Sequence, residues 1–213
     1  MEISKRKDLQ GANLQGANLQ EADFREANLQ EADLRGARLE KANLVGANLQ
    51  GADFSNAHLL DKGANLQLAN LQGANLQGSI LQLVNLQGAN LQSANLQRSN
   101  IQMANLQGSN LQGANMQMVN LYGADLRGAD LRGADLQGSS LQASNLQEAD
   151  LREANLQGAN FQEADIRFSN LYNAINLSLD QLSKVKTLSG VKLDEEFLIS
   201  LKEKYPILFE LTD

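Results

Sequence analysis

Large apolar residues recur at every fifth position, from Leu9 through Leu14 and Leu19 to Leu59, and again from Leu66 to Leu171. That makes eleven apolar centres before residue 60 and twenty-two after it, thirty-three in all. A helix asks for apolar positions about 3.6 residues apart and a flat strand for about 2, so a spacing of five fits neither. Within one unit, plainest at Ala12-Asn13-Leu14-Gln15-Gly16, a small residue lies two before the centre. On an extended chain Ala12 and Leu14 then point to one side while Asn13 and Gln15 point to the other. Because five is odd, this alternation survives only if the chain turns a corner in every unit, and the slot held by Gly16 supplies the permissive backbone. The pattern predicts a coil of short extended pieces.

The number of corners per coil is written faintly. Most small slots hold Ala, but Ser79, Ser99, Val119 and Ser139 depart from it at intervals of twenty, which points to four units per turn. Coils stacked at a strand spacing of about 4.8 Å make a rod of about eight coils and ~40 Å, each touching only its neighbours. Leucine-rich repeats, the main rival, need a longer unit with an irregular or helical half, and the chain has none.

The repeated A-(D/N)-L-x-x unit resembles the pentapeptide-repeat family, and the match covers roughly three quarters of the chain. The resemblance implies an all-β solenoid, a right-handed four-sided parallel β-helix. It also implies a binding or structural protein; the best understood members are acidic mimics of DNA that bind DNA gyrase.

Three segments follow: a lead-in over residues 1–8, the repeat over 9–173, and a helical C-terminal cap over 174–213. The positive run Lys5-Arg6-Lys7 suits an end that must discourage edge-to-edge pairing. Leu59 and Leu66 are seven apart, so a two-residue insertion near residues 61–62 should bulge outward at a corner. After Ala174 the spacing breaks. Ser178 and Gln181 read as a capping box opening a helix with Leu179, Leu182 and Val185 on one face. A second helix should start after Asp194, turn Phe197, Leu198 and Leu201 inward, and end before Pro206. Such a cap would cover the last coil, leaving the N-terminal end as the place for a dimer contact. The tail from Leu201 to Phe209 resembles those of cyanobacterial pentapeptide-repeat proteins.

Charge changes the functional picture. Six units carry Asp before the centre and Arg after it, among them Asp23 and Arg25, and Arg38 with Glu40 reverses the order. These seven pairs share outward faces and cancel. From residue 8 to 173 there are seventeen acids and ten bases, a net of minus seven. Duplex DNA carries one charge per about 1.7 Å, close to three per coil, so the rod is too weakly charged for the alternative of a DNA-mimicking modulator of gyrase or topoisomerase. It has no basic stripe either, so no nucleic acid is expected as a ligand. Between Lys62 and Asp125 the only charged residue is Arg98. Asn before the centre and Gln after it would stack as amide ladders.

The chain has no cysteine, one histidine, and no apolar run long enough to span a bilayer. With no secretory signal it reads as cytoplasmic, with no membrane contact. His58 has no second base or nucleophile beside it and reads as a solvent-exposed residue. Phosphate loops, metal-ligand spacings and nucleophile-base pairs are missing, so no catalytic, cofactor-binding or metal-binding residues are assigned and the chain is expected not to be an enzyme. It is read as a protein-binding or scaffold solenoid, a monomer or weak homodimer, with an unidentified protein partner. The candidate docking patch is Ile80, Leu83, Met103, Met118 and Tyr122, where outward slots turn apolar; Leu83 and Met103 share a corner, the others lie on or beside the adjoining face, and Leu68 lies elsewhere. Neutral drift of exposed slots is the competing account of these five residues.

Overall fold

A computed structural model describes residues 7–59 and 63–210. Every unit except that of Asn160 contributes one short parallel bridge to the coil above it, and the partners mostly lie twenty residues apart, as in Asn28 with Asn48 and Asn105 with Asp125. Four units therefore close one coil, and the column is a right-handed, four-sided β-helix. Across the insertion the interval becomes twenty-two, as in Asn43 with Asn65, and then returns to twenty. The two extra residues leave the register intact; the expected bulge itself lies outside the described residues.

The backbone bonds explain the five-letter unit. In the unit 69–73, Ala69 N–H closes the turn on Leu66 O at 3.0 Å, Asn70 N–H reaches Ala47 O at 2.9 Å, Leu71 N–H reaches Asn90 O at 2.7 Å, and Gly73 N–H reaches Gln92 O at 2.9 Å. The fifth N–H, on Gln72, donates to Asn70 Oδ1 at 3.3 Å. All five donors are satisfied, as a buried backbone requires. The slot before the centre thus holds a short side chain with an acceptor, Asn or Asp, because only that side chain reaches its own second neighbour. The corner residue sits in the left-handed region (Gly73 φ +65°), and Gly is the residue that adopts it without a steric cost.

Inside, Ala and the large centres are buried from Ala27 to Leu171, with Phe54 and Phe161 filling centres completely. Five of the small-slot serines, Ser79 among them at 2.6 Å to Leu76 O, donate to the carbonyl three residues back and so enter the core satisfied. The interior is solid.

The C-terminal segment is partly a further coil. Ile175 bridges Asn155, and Thr187 and Lys192 bridge Asp165 and Asn170, so three sides of a ninth turn are strand-like. The fourth side is α1, Leu179–Leu182, opened by the capping box of Ser178 and Gln181. It is one turn long, shorter than expected, because the chain must return to the strand at Thr187; Val185 lies beyond the helix and is still buried. Helix α2, Glu195–Lys204, then crosses the end with Leu201 fully buried and Phe197 and Leu198 half-buried. A short 3-10 turn over Pro206–Phe209 follows. At the other end Lys7 donates to Asp23 O at 2.6 Å and lies 5.3 Å above the Phe24 ring; Lys5 and Arg6 lie outside the described residues.

Candidate interaction face

The four sides are numbered in chain order from the centres Leu9, Leu14, Leu19 and Phe24. Bridging through His58, Ile80 and Asn100 places Leu19, Leu39, Leu59, Leu81, Ile101, Leu121, Leu141 and Phe161 on the third face. Ile80, half-buried, stands in the middle of this face, and Tyr122, 45% exposed, two coils further on. Leu83 and Met103 protrude from the corner that ends the face, 55% and 56% exposed, and Met118 from the corner that begins it, 61% exposed. Leu68 protrudes from another corner, a full face away.

Each of these corner side chains sits on a backbone that Leu and Met rarely adopt, with φ of +60° at Leu83, +56° at Met103 and +57° at Met118. Part of that cost is recovered by contact with the coil above. A Cβ on Gly123 would lie 2.5 Å from Met103 Sδ, and one on Gly138 would lie 2.7 Å from Met118 Sδ, so both methionines lie across the glycine of the next coil.

A feature that inspection of the apolar residues alone misses concerns the acceptor slot. Of thirty-three units, twenty-nine hold Asn or Asp before the centre. The four that do not, Arg38, His58, Ile80 and Ser140, all lie on the third face, in one column. The signal was readable in the sequence by combining slot departures with the twenty-residue period and the two-residue shift. Its structural consequence is visible on the other faces. On the first, amide bonds climb without a break from Asp8 through Asn28, Asn48, Asn70 and Asn90 to Asn110, at 2.9–3.4 Å. Shorter ladders occupy the second and fourth faces. On the third the asparagine column is cut by Ile80 and Ser140.

Charge divides the rod in the same way. All seven expected ion pairs form, the six Asp–Arg pairs at 2.6–2.7 Å and Arg38–Glu40 at 3.3 Å. Above the insertion the pairs stand only on the first and fourth faces. The Arg25 guanidinium holds the Asp23 carboxyl down to about 2, and the matching arginines lower Asp33, Asp125, Asp130 and Asp150. Burial pushes Asp165 up, and its bonds to Arg167 and Gln147 together more than offset that, so it too is lowered. From His58 to Gln162 the outward slots of the third face carry no acid, Lys or Arg among the described residues. His58 is exposed.

A concavity of about 850 Å³ lies where α1 replaces a strand above Phe161. It is an open polar groove whose edge is already capped: Gln181 Nε2 donates to Leu156 O at 2.7 Å and to Ala159 O at 2.9 Å, and Glu163 N–H donates to Lys184 O at 2.9 Å. Among the described residues no group of three or more His, Asp or Glu side chains converges to hold a metal, and no helix is long and apolar enough to cross a membrane.

A solid four-sided solenoid defines the class. The family model described as Pentapeptide repeats (8 copies) matches residues 8–40, 22–61, 64–102, 104–142 and 139–175, and the chain belongs to the pentapeptide-repeat family. Among solved structures it is similar to QnrB1, a plasmid-mediated fluoroquinolone resistance protein, at 22% identity over 94% of this chain and 96% of that one, with a TM-score of 0.66. It is also similar to HetL, involved in heterocyst differentiation regulation in the cyanobacterium Nostoc, at 31% identity over 89% and 90%, TM-score 0.35. Rfr23 from the cyanobacterium Cyanothece matches at 26% identity over 62% of this chain and 90% of that one, TM-score 0.31. No curated protein sequence matches the chain.

Proposed function

We propose that this protein is a non-enzymatic binding solenoid that engages a protein through its third face, using Ile80, Leu83, Met103, Met118 and Tyr122. The observation that carries this reading is the confinement of all four departures from Asn or Asp to that one face. Ile80 gives up a turn acceptor worth about 1 kcal/mol, and such a loss is expected where a surface serves something other than stability. The core is filled, which leaves no enclosed site for a substrate, and the surface charges are spent on each other. The likeness to QnrB1 supports the fold alone, so a gyrase role has no separate support. The tail's likeness to cyanobacterial members supports a cyanobacterial source.

The test compares tagged wild type with the Leu83→Gln/Met103→Gln variant as baits for native extract and for the untagged chain. The expected result is loss of retained protein at an unchanged melting temperature; equal retention by both baits overturns the reading. In a supercoiling assay with DNA gyrase the protein is expected to be inert, and inhibition at sub-micromolar protein would favour DNA mimicry instead.

A further inference from the structure

We infer that the occupant of the third face is a second copy of this chain, docked side by side and parallel, with the two-fold axis running along the rod. The inference rests on the reading of that face as a docking surface and adds the identity of the partner. It is carried by the two corners that frame the face. Leu83 on one corner stands across from Gly78 on the other, and one level of the pattern is reversed: Met118 stands across from Gly123. Met103 and Arg98 are the one pair above the insertion that is bulky on both sides. At two levels, then, the face has a bulky corner residue on one edge and a glycine on the other, with Asn56 lying over Gly78 and Met103 over Gly123.

When two flat faces meet about a two-fold, the axis lies in the plane between them, and contact along the whole of both faces requires it to run along the rods or across them, because an oblique axis crosses the rods and covers only part of each. An axis along the rods exchanges the two corners of each coil. Leu83 then meets Gly78 of the second copy and the Asn56 side chain lying over it, Met118 meets Gly123 and the Met103 side chain lying over it, and Met103 meets the aliphatic stem of Arg98. An axis across the rods sets each corner against the same corner of the partner rod. Centred on the Asn100 coil it would press Arg98 against Arg98, two like charges with no acid on the face to separate them. The parallel arrangement has no such clash.

The chemistry of the face fits the same partner. A heterologous partner with a charged surface would find no complement between His58 and Gln162, whereas a second copy brings an equally uncharged face and leaves the ion pairs of the first and fourth faces in water. Four side chains each about half exposed amount to ~400 Å², about half of what one partner buries in a stable interface, so the dimer is weak and its population depends on concentration.

Two measurements on the full chain test this. In sedimentation equilibrium from about 1 to about 500 μM, wild type is expected to pass from monomer toward dimer, and Leu83→Gln/Met103→Gln to weaken the association at least about tenfold with an unchanged melting curve. The chain has no cysteine, so orientation can be read with Asn100→Cys and Gln102→Cys, which retain every corner residue. Under oxidation an equimolar mixture is expected to give the mixed 100–102 disulfide in excess, because these slots oppose one another in a parallel pair. Homodisulfides 100–100 and 102–102 in place of the mixed one would show the antiparallel pair and overturn the proposal, as would association insensitive to the corner variants. A protein that stays monomeric yet retains some other protein through Leu83 and Met103 would remove the second copy while leaving the docking face standing; one that does neither would remove both.

Discussion

Replacing Asn90 and Asn100 separately by Ala isolates what the asparagine column contributes. The two residues occupy the same slot, both are half-buried, and each supplies the acceptor for the N–H two residues on, at 3.2 Å for Gln92 and 3.3 Å for Gln102. They differ in their vertical neighbours. Asn90 also donates to Asn70 Oδ1 at 3.1 Å and accepts from Asn110 at 3.2 Å, whereas Asn100 stands above Ile80, which has no acceptor. A half-buried neutral hydrogen bond contributes about 1 kcal/mol net, so Asn100→Ala should cost about 1 kcal/mol and Asn90→Ala about 2–3 kcal/mol. Since a domain of this size shifts by ~2–4 °C per kcal/mol, the two melting temperatures should differ by about 2–8 °C. Urea titration of both variants at equal m-value checks the difference without the assumption that heating is reversible. Equal losses would mean that the vertical amide bonds contribute nothing, and the broken column on the third face would then have no energetic meaning.

Four other outcomes follow from the same geometry. Ala94 is fully buried, so Ala94→Leu should overpack the core at a cost of about 1–3 kcal/mol or more, whereas Gln92→Leu, which faces outward, should change the denaturation midpoint by less than about 1 kcal/mol. Gly128→Ala meets nothing within 4 Å and should show only the backbone cost of its positive φ, about 1 kcal/mol; Gly123→Ala must also displace Met103, and adding Met103→Ala should remove the excess. The six paired aspartates have lowered folded pKa values, Asp23 about 2, so their stability is complete above the unfolded value of about 3.9 and is lost as pH falls through the folded values: the melting temperature should be level from about pH 8 to 5 and drop between about 4 and 2. Truncation after Ala174 removes the strands at Thr187 and Lys192 and the helix that buries Leu201, so the shortened chain should self-associate or precipitate in sedimentation while the full chain does not precipitate.

The coil was legible because its rule is local and repeated: the odd spacing forces a corner, and the departures at Ser79, Ser99, Val119 and Ser139 reveal the number of corners. The reason for Asn was legible only in part. Stacked amide ladders follow from the repeat, but the bond from Asn70 Oδ1 to the Gln72 N–H depends on turn geometry that composition does not express. The ninth coil was hidden because a two-residue excess precedes Thr187 and one side is a helix. Leu188 and Leu193, five apart with Gly190 between them at φ +68°, carry the signal in the letters, yet two units without Ala or Asn look like the end of a repeat. Helix α2 was predictable from Asp194 and Pro206, although the Asp194 carboxylate accepts from Asn173 N–H at 3.2 Å instead of capping its own helix.

Drift and selection for contact make different demands on a solenoid. Its stability is close to a sum of intrinsic terms and nearest-neighbour terms, so a lost turn acceptor costs about the same on any of the four faces. Tolerance alone would scatter the departures among thirty-three equivalent slots. Instead Arg38, His58, Ile80 and Ser140 share one column, and the Asp–Arg pairs above the insertion avoid it. Above the insertion, turn acceptors are thus thinned to Asn100, Asn120 and Asn160 on the side that Asp–Arg pairs avoid, although the two kinds of residue have unrelated physical roles. The property they have in common is strong hydration: a carboxylate pair or a free amide must shed water before another surface can approach, whereas Ile80, Leu83 and Met103 gain from shedding it. A side depleted of the first and supplied with the second is one whose desolvation the chain favours, and that is the physical requirement of a face that spends part of its time covered.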